Sequence, residues 1–260
     1  MYSVLNISAI GMQAQQKNLE TISNNLANAN TPGFKKSRVQ FSELVGRNAQ
    51  ITQNFESQAV SSMDSKTASG AQLTIQRLFE EGEFKKTGVP MDLAIQGEGF
   101  VEVLMPDMSS AYFKGGSLSV NKEGLLSVGN GLPLKPGIHI PASSEAIQIS
   151  ADGKVYVQSG GDKTWQEIAQ LELSYFDNPS RLDSINDGLY KATDASGQAL
   201  RSDFGQQRGG VFMQGYLEMS NVKMLDEIMN LMMAQRTYEA NVKLVQAADE
   251  MLGLVNTMRK

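Results

Sequence analysis

Apolar residues recur every seven positions at both ends of this chain, and this spacing constrains the fold more than any other feature of the sequence. It predicts one helix from residue 4 to about 29 and a second from about 222 to 258. The second helix would be roughly 55 Å long, more than one small domain can cover. The predicted packing positions are Leu5, Met12, Leu19, Ile22, Leu26, Met224, Ile228, Leu231, Tyr238, Val242, Val245 and Leu252.

The two apolar stripes have the same spacing, so each helix is the obvious local partner for the other. We therefore predict that the two chain ends pair as a coiled coil that projects from the rest of the protein. Residues 1–30 contain only two charged side chains, Lys17 and Glu20, together with many amides. Such a charge-poor helix suits surroundings made of other protein, where amides find partners and unpaired charges would be costly.

Methionine is concentrated in and just before the second helix, since seven of the fourteen lie in residues 219–258. This flexible side chain fills irregular gaps, which favours helices that pack against several different neighbours in an assembly. A core within a single chain is the alternative interpretation of the same feature.

The first helix ends in the stretch NNLANANTPGFKK, residues 24–36. Asn28, Asn30 and Gly33 tolerate left-handed backbone, and Pro32-Gly33 suits the centre of a type II turn. We predict a sharp corner here that sets the angle at which the helix leaves a packed bundle. The corner residues are Asn24, Asn25, Leu26, Ala27, Asn28, Asn30, Thr31, Pro32, Gly33, Phe34 and Lys35.

Between the helices, short alternating runs such as FVEVL and VYV are separated by turn sequences such as NKEG and ADG. They predict a compact antiparallel β domain. The predicted fold class is therefore α+β, with paired terminal helices, a central antiparallel β domain and an extended connector. The predicted bounds are 1–34 for the N-terminal helix, 35–72 for the connector, 73–217 for the β-rich outer domain and 218–260 for the C-terminal helix.

The composition excludes several kinds of chemistry. Cysteine is absent, which excludes thiol catalysis, and a chain with one histidine cannot form a two-histidine zinc site. That histidine, His139, lies in the apolar run GIHIP, which favours a structural residue over the histidine of a Ser-His-Asp triad. Glu80, Glu81 and Glu83 lie beside two lysines, which is typical of a solvated loop. We predict no catalytic, cofactor or metal site. The net charge of −5 argues against nucleic acid, and the lack of a long apolar run argues against membrane insertion.

Two long motifs resemble one known family. NNLANANTPGFKKSR is similar to the amino-terminal signature of the bacterial flagellar rod and hook family, and GYLEMSNVKMLDEIMNLMMAQRTYEANVKLVQAADEML resembles its carboxy-terminal helix. The runs QGEGFVEV, GSLSVNKEGLLSV and ISADGKV resemble the β domain of the same family. The likeness therefore covers nearly the whole chain, with its motifs in the family's order.

The resemblance implies a structural subunit of the flagellar basal-body distal rod, which assembles helically with its own copies into a hollow drive shaft. The implied neighbours are proximal rod proteins, hook proteins, outer ring bushing proteins and the flagellar type III export apparatus. The implied location is the periplasmic rod of the basal body. The amino terminus has no secretory signal pattern, so we expect export without a cleaved signal peptide.

Other functions remain open on the sequence alone. A proximal rod or hook-type axial subunit of the same family is one alternative. A cell-wall hydrolase built on a β scaffold is a second, with Glu80 or Glu83 as the acid. A surface fibre or adhesin with similar terminal helices is a third.

Overall fold

The computed structural model describes residues 2–43, 71–129, 131–160, 164–185, 188–202 and 210–258 of the 260-residue chain. The predicted connector, 35–72, lies largely outside the described residues. The predicted packing positions Leu5 and Leu252 are within helices, but their side chains lie outside the described part.

Two α-helices occur in the described chain. Helix α1 spans Tyr2–Ala27 and α2 spans Met224–Met258. Their positions agree with the two helical stretches that the seven-residue spacing predicts. Asp226 and Glu227 lie in the first turn of α2, where the helix dipole favours negative charge.

Eighteen β-strands and one short 3-10 helix, Pro179–Arg181, account for the remaining regular structure among the described residues. The strands are β1 (Ser37–Glu43), β2 (Ala71–Arg77), β3 (Phe84–Lys86), β4 (Asp92–Gln96), β5 (Phe100–Leu104), β6 (Ser110–Phe113), β7 (Gly115–Val120), β8 (Leu126–Val128), β9 (Leu132–Pro133), β10 (Ser144–Ile149), β11 (Lys154–Ser159), β12 (Trp165–Gln170), β13 (Leu173–Tyr175), β14 (Asp183–Ser184), β15 (Leu189–Lys191), β16 (Leu200–Ser202), β17 (Val211–Gln214) and β18 (Tyr216–Glu218).

The strands form three larger sheets and two ribbons. The strand orders are β14-β15-β6-β5-β13-β16, β17-β4-β7-β8-β9 and β10-β11-β12, with the ribbons β1-β2 and β18-β3. Pairing within the three larger sheets is antiparallel throughout. Short strands joined by turns are what the alternating sequence predicts for this region.

Side chains from all three larger sheets form the main hydrophobic core. In β11 the alternation is visible residue by residue, because Val155 and Val157 are buried while Tyr156 is only half-buried. A second cluster consists mainly of aromatic rings, with Phe100 in edge contact with Phe176 and Tyr190. Phe79, in the segment that precedes β3, packs edge-on against Phe100 and Tyr190 of the six-stranded sheet.

The chain divides into two compact units. One lies within residues 1–23, 38–76 and 229–260, and the other within 24–37 and 77–228. Our sequence-derived bounds divide the chain at other residues, and they stay a prediction. The second unit contains the corner that follows α1, the larger sheets and the first turn of α2.

The predicted α+β fold with coiled-coil ends is wrong. The described chain is mainly β, and the stripe residues Met224, Ile228 and Tyr238 of α2 are exposed and do not form a buried seam. A polar contact joins α1 and α2 in the first unit. Gln15 Nε2 donates to the carbonyl of Ala234 at 3.0 Å. A seven-residue period identifies an apolar stripe on a helix, but it does not show whether that stripe packs against the same chain or against another molecule.

Neither described helix has the length and apolar content needed to cross a membrane.

Candidate assembly site

The corner after α1 is a tight turn built by the motif itself. The side chain of Asn28 donates to the carbonyl of Asn24 at 2.9 Å, and the backbone N–H of Asn28 donates to the same carbonyl at 3.1 Å. The N–H of Phe34 then donates to the carbonyl of Thr31 at 3.3 Å. Gly33 has a φ of 73°, as the third position of a type II turn requires. The turn predicted at Pro32-Gly33 is present.

The corner is joined to the C-terminal motif by a buried ion pair. The ammonium of Lys35 lies 2.6 Å from Oε1 of Glu218, and both side chains are almost completely inaccessible to solvent. Lys35 also donates to the carbonyl of Glu80 at 2.8 Å. Oε1 of Glu218 accepts a second bond, from the N–H of Gly82, at 2.8 Å. A backbone hydrogen bond joins the same two segments, because the N–H of Gly33 donates to the carbonyl of Glu218 at 2.7 Å.

A second ion pair, buried on the side of its carboxylate, lies one residue further along. The ammonium of Lys36 is 2.5 Å from Oε1 of Glu227, whose side chain is buried. Asn25 binds the other oxygen of Glu227 at 3.1 Å. Asn25 also exchanges two bonds with the backbone of Ser37, at 2.8 and 2.9 Å. The end of α1, the start of β1 and the start of α2 thus share one polar network.

Asn221 completes the connection between the two motifs. Its Oδ1 accepts from the N–H of Lys36 at 2.7 Å, and its Nδ2 donates to the carbonyls of Leu78 and Glu80 at 2.9 and 3.1 Å. One amide therefore ties three separate segments. We call Asn25, Lys35, Lys36, Glu218, Asn221 and Glu227 the corner network.

The corner network has a clear energetic consequence. The buried pair of Lys35 and Glu218 and the buried carboxylate of Glu227 cost free energy to desolvate, and they are tolerable only when each charge keeps its partner. The network therefore favours one arrangement of the corner over others, because a displaced partner would leave a buried charge unpaired. The corner network therefore stabilises a single backbone conformation of the corner.

Lys114 is a third buried lysine in the same unit. Its ammonium donates to the carbonyls of Gly97 and Gly99 at 2.5 and 3.1 Å and lies 5.3 Å from the centre of the Phe100 ring. Burial lowers the pKa of this ammonium from 10.5 to about 8, while the carboxylate of Glu218 opposes the shift. The lysine holds the β4–β5 turn against the sheet.

This lowered pKa predicts a pH-dependent stability. The folded pKa is below the unfolded one, so the folded chain holds fewer protons between these values and its stability rises with pH. From about pH 7 to about pH 10 we expect the free energy of unfolding to increase by about 2–3 kcal/mol. Chemical denaturation at several pH values measures this. Burial also raises the pKa of Tyr112 and Tyr190, so the rise ends near their titration.

A Lys114→Met chain provides the control for that profile. It removes the titrating group while keeping an unbranched side chain in the same space. We expect its stability to be nearly flat over the same pH range, apart from groups common to both chains. An unchanged rise in the Lys114→Met chain would assign the effect to another residue.

Helix α2 exposes a large apolar surface. Met233 is 67% exposed and Leu244 is 62% exposed, and the other exposed apolar side chains of α2 are Met224, Leu225, Ile228, Met229, Met232, Tyr238 and Met251. Single exposed apolar residues are ordinary, but a contiguous series on one helix marks a surface that contacts other molecules. Such a surface has the character of an interface with further protein.

The structure separates the predicted packing positions into two groups. Ile22 is buried, and Met12, Leu19, Leu26, Leu231, Val242 and Val245 are half-buried. Met224, Ile228 and Tyr238 are exposed. In the corner, Asn25 and Lys35 are buried, Leu26, Asn28, Gly33 and Phe34 are half-buried, and Asn24, Ala27, Asn30, Thr31 and Pro32 are exposed.

Sequence reasoning missed the partners of the corner. Lys36 and Glu218 carry no local signal for such a contact, and the sequence marks Asn221 and Glu227 only as residues suited to the start of a helix. The available signal was that both family-like motifs contain charged residues next to apolar ones. No local pattern, however, pairs Lys35 with a glutamate 183 positions away.

The groups considered for an enzyme are not arranged as an active site. Glu80, Glu81 and Glu83 are exposed, and His139 is exposed between two buried isoleucines. A carboxyl that acts as a general acid near neutral pH is usually kept protonated by burial. In the part of the chain that the structure describes, no group of three histidine, aspartate or glutamate side chains could hold a metal ion.

Three family models match the chain. Residues 5–35 match "Flagella basal body rod protein", 94–157 match "Flagellar hook protein FlgE/F/G D1 domain", and 213–258 match "Flagellar basal body rod FlgEFG protein C-terminal". The first contains Asn25 and Lys35 of the corner network, and the third contains Glu218, Asn221 and Glu227. The second lies within the β-sheets.

Several curated proteins are similar over nearly their whole length. The flagellar basal-body rod protein FlgG of Borreliella burgdorferi is 37% identical over 265 residues, with 100% of both chains covered. FlgG of Caulobacter vibrioides is 38% identical, with 98% of each chain covered. FlgG of Bacillus subtilis is 34% identical, with 96% of each covered.

Proposed function

This chain belongs to the flagellar basal-body rod protein family and is a structural subunit of the rod, and we propose that its copies stack helically into the distal part of that rod. The family expected from the sequence motifs is thus confirmed. The finer role, a hollow shaft that carries torque from motor to hook, is our proposal. The observation that supports it best is the exposed apolar surface of α2.

The proposed mechanism uses the two features of the site for different purposes. The corner network fixes the backbone at the end of α1 and the start of α2, so each copy presents these segments in the same way. The apolar side chains of α2 then become buried against neighbouring copies, at roughly 25 cal/mol per Å² of apolar surface removed from water. Repeated rigid contacts of this kind are what a torque-bearing shaft requires.

We propose that the apolar positions predicted from the seven-residue spacing, from Met12 to Val245, serve contacts between copies where they are exposed. Membership of the family implies assembly with other basal-body components. Our proposal for the specific neighbours is the proximal rod proteins, the hook proteins and the outer ring bushing, with delivery by the flagellar type III apparatus to a periplasmic position. We propose no catalytic activity.

Removal of residues 241–260 tests this function. In cells lacking their own copy of the gene, we expect the full chain to restore swimming and the shortened chain to fail. The deletion removes the end of α2, including Leu244 and Met251, and so removes much of the proposed contact surface.

The shortened chain must also be shown to remain folded. The unit formed by 24–37 and 77–228 contains none of the deleted residues, so we expect its cooperative unfolding transition to persist. Swimming restored by the shortened chain would contradict the proposal.

A further inference from the structure

Three methionines lie side by side on the exposed surface of α2. Met229, Met232 and Met233 are 52%, 49% and 67% exposed. Residues three and four positions apart are neighbours on a helix, so the three thioethers form one group. We call these three residues the methionine patch. All three belong to the compact unit that contains residues 229–260.

Methionine gives this surface a chemistry that leucine would not give it. The chain contains fourteen methionines and no cysteine, so thioethers are its only sulfur groups. Hydrogen peroxide converts a thioether into a sulfoxide. The O–O bond breaks, one oxygen forms a bond to sulfur, the sulfur loses two electrons, and the other oxygen leaves as water. Methionine sulfoxide reductases return the polar product to methionine, so the change is reversible.

The burial of the other methionines provides internal references for this reaction. Met91 and Met105 are only partly accessible and pack against the main hydrophobic core. Met108 is 83% exposed, in the turn between β5 and β6 rather than on α2. Because oxidation follows access to the sulfur, the methionine patch and Met108 should react faster than Met91 and Met105. Met108 thus provides an exposed thioether outside α2.

Oxidation changes the surface that we propose to be buried in the rod. Contact between copies would remove the methionine patch from water. A sulfoxide brought into such a contact carries a polar oxygen, which costs free energy to bury without a hydrogen-bond donor. The patch is open to solvent in the single chain and covered after the proposed assembly. A peroxide therefore reaches it before assembly and not afterwards.

We propose that the methionine patch, formed by Met229, Met232 and Met233, is a site of reversible oxidation by peroxides, and that a chain with sulfoxides there does not join the rod. This inference rests on the proposed function, because the sulfoxides matter only if neighbouring copies cover the patch. It adds regulation to the same surface. Assembly stops while peroxide is present and resumes once the sulfoxides are reduced.

Peptide mass spectrometry after treatment with hydrogen peroxide tests the modification site. In the purified full chain, we expect sulfoxide to form at the methionine patch and at Met108 several-fold faster than at Met91 and Met105. In isolated basal bodies, we expect the patch to react several-fold more slowly than in the free chain. A patch that reacts no faster than Met91 and Met105 in the free chain overturns the proposal.

A second experiment measures the effect on assembly. Cells that depend on this chain produce it during a brief, sublethal exposure to hydrogen peroxide. The amount of the chain in isolated basal bodies is then compared with the amount from untreated cells of the same strain. We expect a several-fold loss for the unaltered chain, because copies with sulfoxides in the methionine patch are excluded from the rod.

Two altered chains identify the residues responsible. With Met229→Leu, Met232→Leu and Met233→Leu together, the surface stays apolar and cannot form sulfoxides, so peroxide should cause a much smaller loss. Met108→Leu removes the exposed thioether outside α2, and its loss should equal that of the unaltered chain. Equal losses in the triple variant and the unaltered chain, or no loss in either, overturn the proposal.

The outcomes separate this inference from the proposed function. If the methionine patch is oxidised in the free chain and protected in basal bodies, but peroxide does not lower assembly, the regulation is wrong while the rod contact stands. If the patch is oxidised equally fast in both samples, the rod does not bury this surface of α2, and the proposed contact is wrong as well.

Discussion

Replacing Glu218 by leucine destabilises the β-sheet unit by about 3–5 kcal/mol, the usual cost of removing one partner from a buried ion pair. The change leaves the ammonium of Lys35 buried beside only the carbonyl of Glu80, and it leaves the N–H of Gly82 without its acceptor. Stabilities of small domains are about 5–15 kcal/mol, so a loss of this size removes a large part of the total. Equilibrium denaturation by urea measures it.

A double variant distinguishes the ion pair from simple loss of packing. With Lys35→Met and Glu218→Leu together, no buried charge remains at this position, so we expect the double variant to be more stable than the Glu218→Leu chain. The exposed pair Lys17 and Glu20 provides a matched control, because Glu20→Leu should change stability by less than about 1 kcal/mol. Equal effects at Glu20 and Glu218 would contradict our account of the corner network.

Replacing Met233 by glutamate abolishes assembly while leaving the single chain folded. Met233 is largely exposed in the monomer, and exposed substitutions usually change stability by no more than about 0.5 kcal/mol. In the assembled rod the same side chain is proposed to be buried, where an unpaired carboxylate is costly. Because every copy carries the change, we expect loss of swimming and of rod-associated protein in isolated basal bodies.

Two controls accompany the Met233 variant. Met233→Leu keeps the side chain apolar and similar in size, so we expect it to restore swimming. Met108 is also exposed, in the turn between β5 and β6, and Met108→Glu introduces the same charge away from α2. We expect the Met108→Glu chain to swim. Normal swimming of the Met233→Glu strain would remove α2 from the proposed interface.

The helices and the corner turn could be predicted because their signals are local. The apolar spacing located both helices, and the Pro32-Gly33 pair located the turn. The same spacing led to the wrong fold class, since we interpreted it as a seam between two helices of one chain. In α2, apolar residues outside the stripe, such as Leu225 and Met233, are also exposed, so the helix has more apolar surface than one neighbouring helix would cover.

The corner network could not be predicted because its partners are far apart in sequence. Lys35 follows a turn and Glu218 ends a short strand, and neither position has a local feature that indicates burial. Their pairing depends on the chain returning through the whole β region. The sequence marks Asn221 only as a candidate helix cap, whereas its side chain bonds three backbone groups in two distant segments.

A reconstruction of the rod in basal bodies isolated from cells that make this chain tests the central claim most directly. The claim is that neighbouring copies bury the apolar side chains of α2. We expect Met233 and Leu244 to lie within about 4.5 Å of apolar side chains from adjacent copies. A rod in which these two side chains face solvent, or in which this chain is absent, would contradict it.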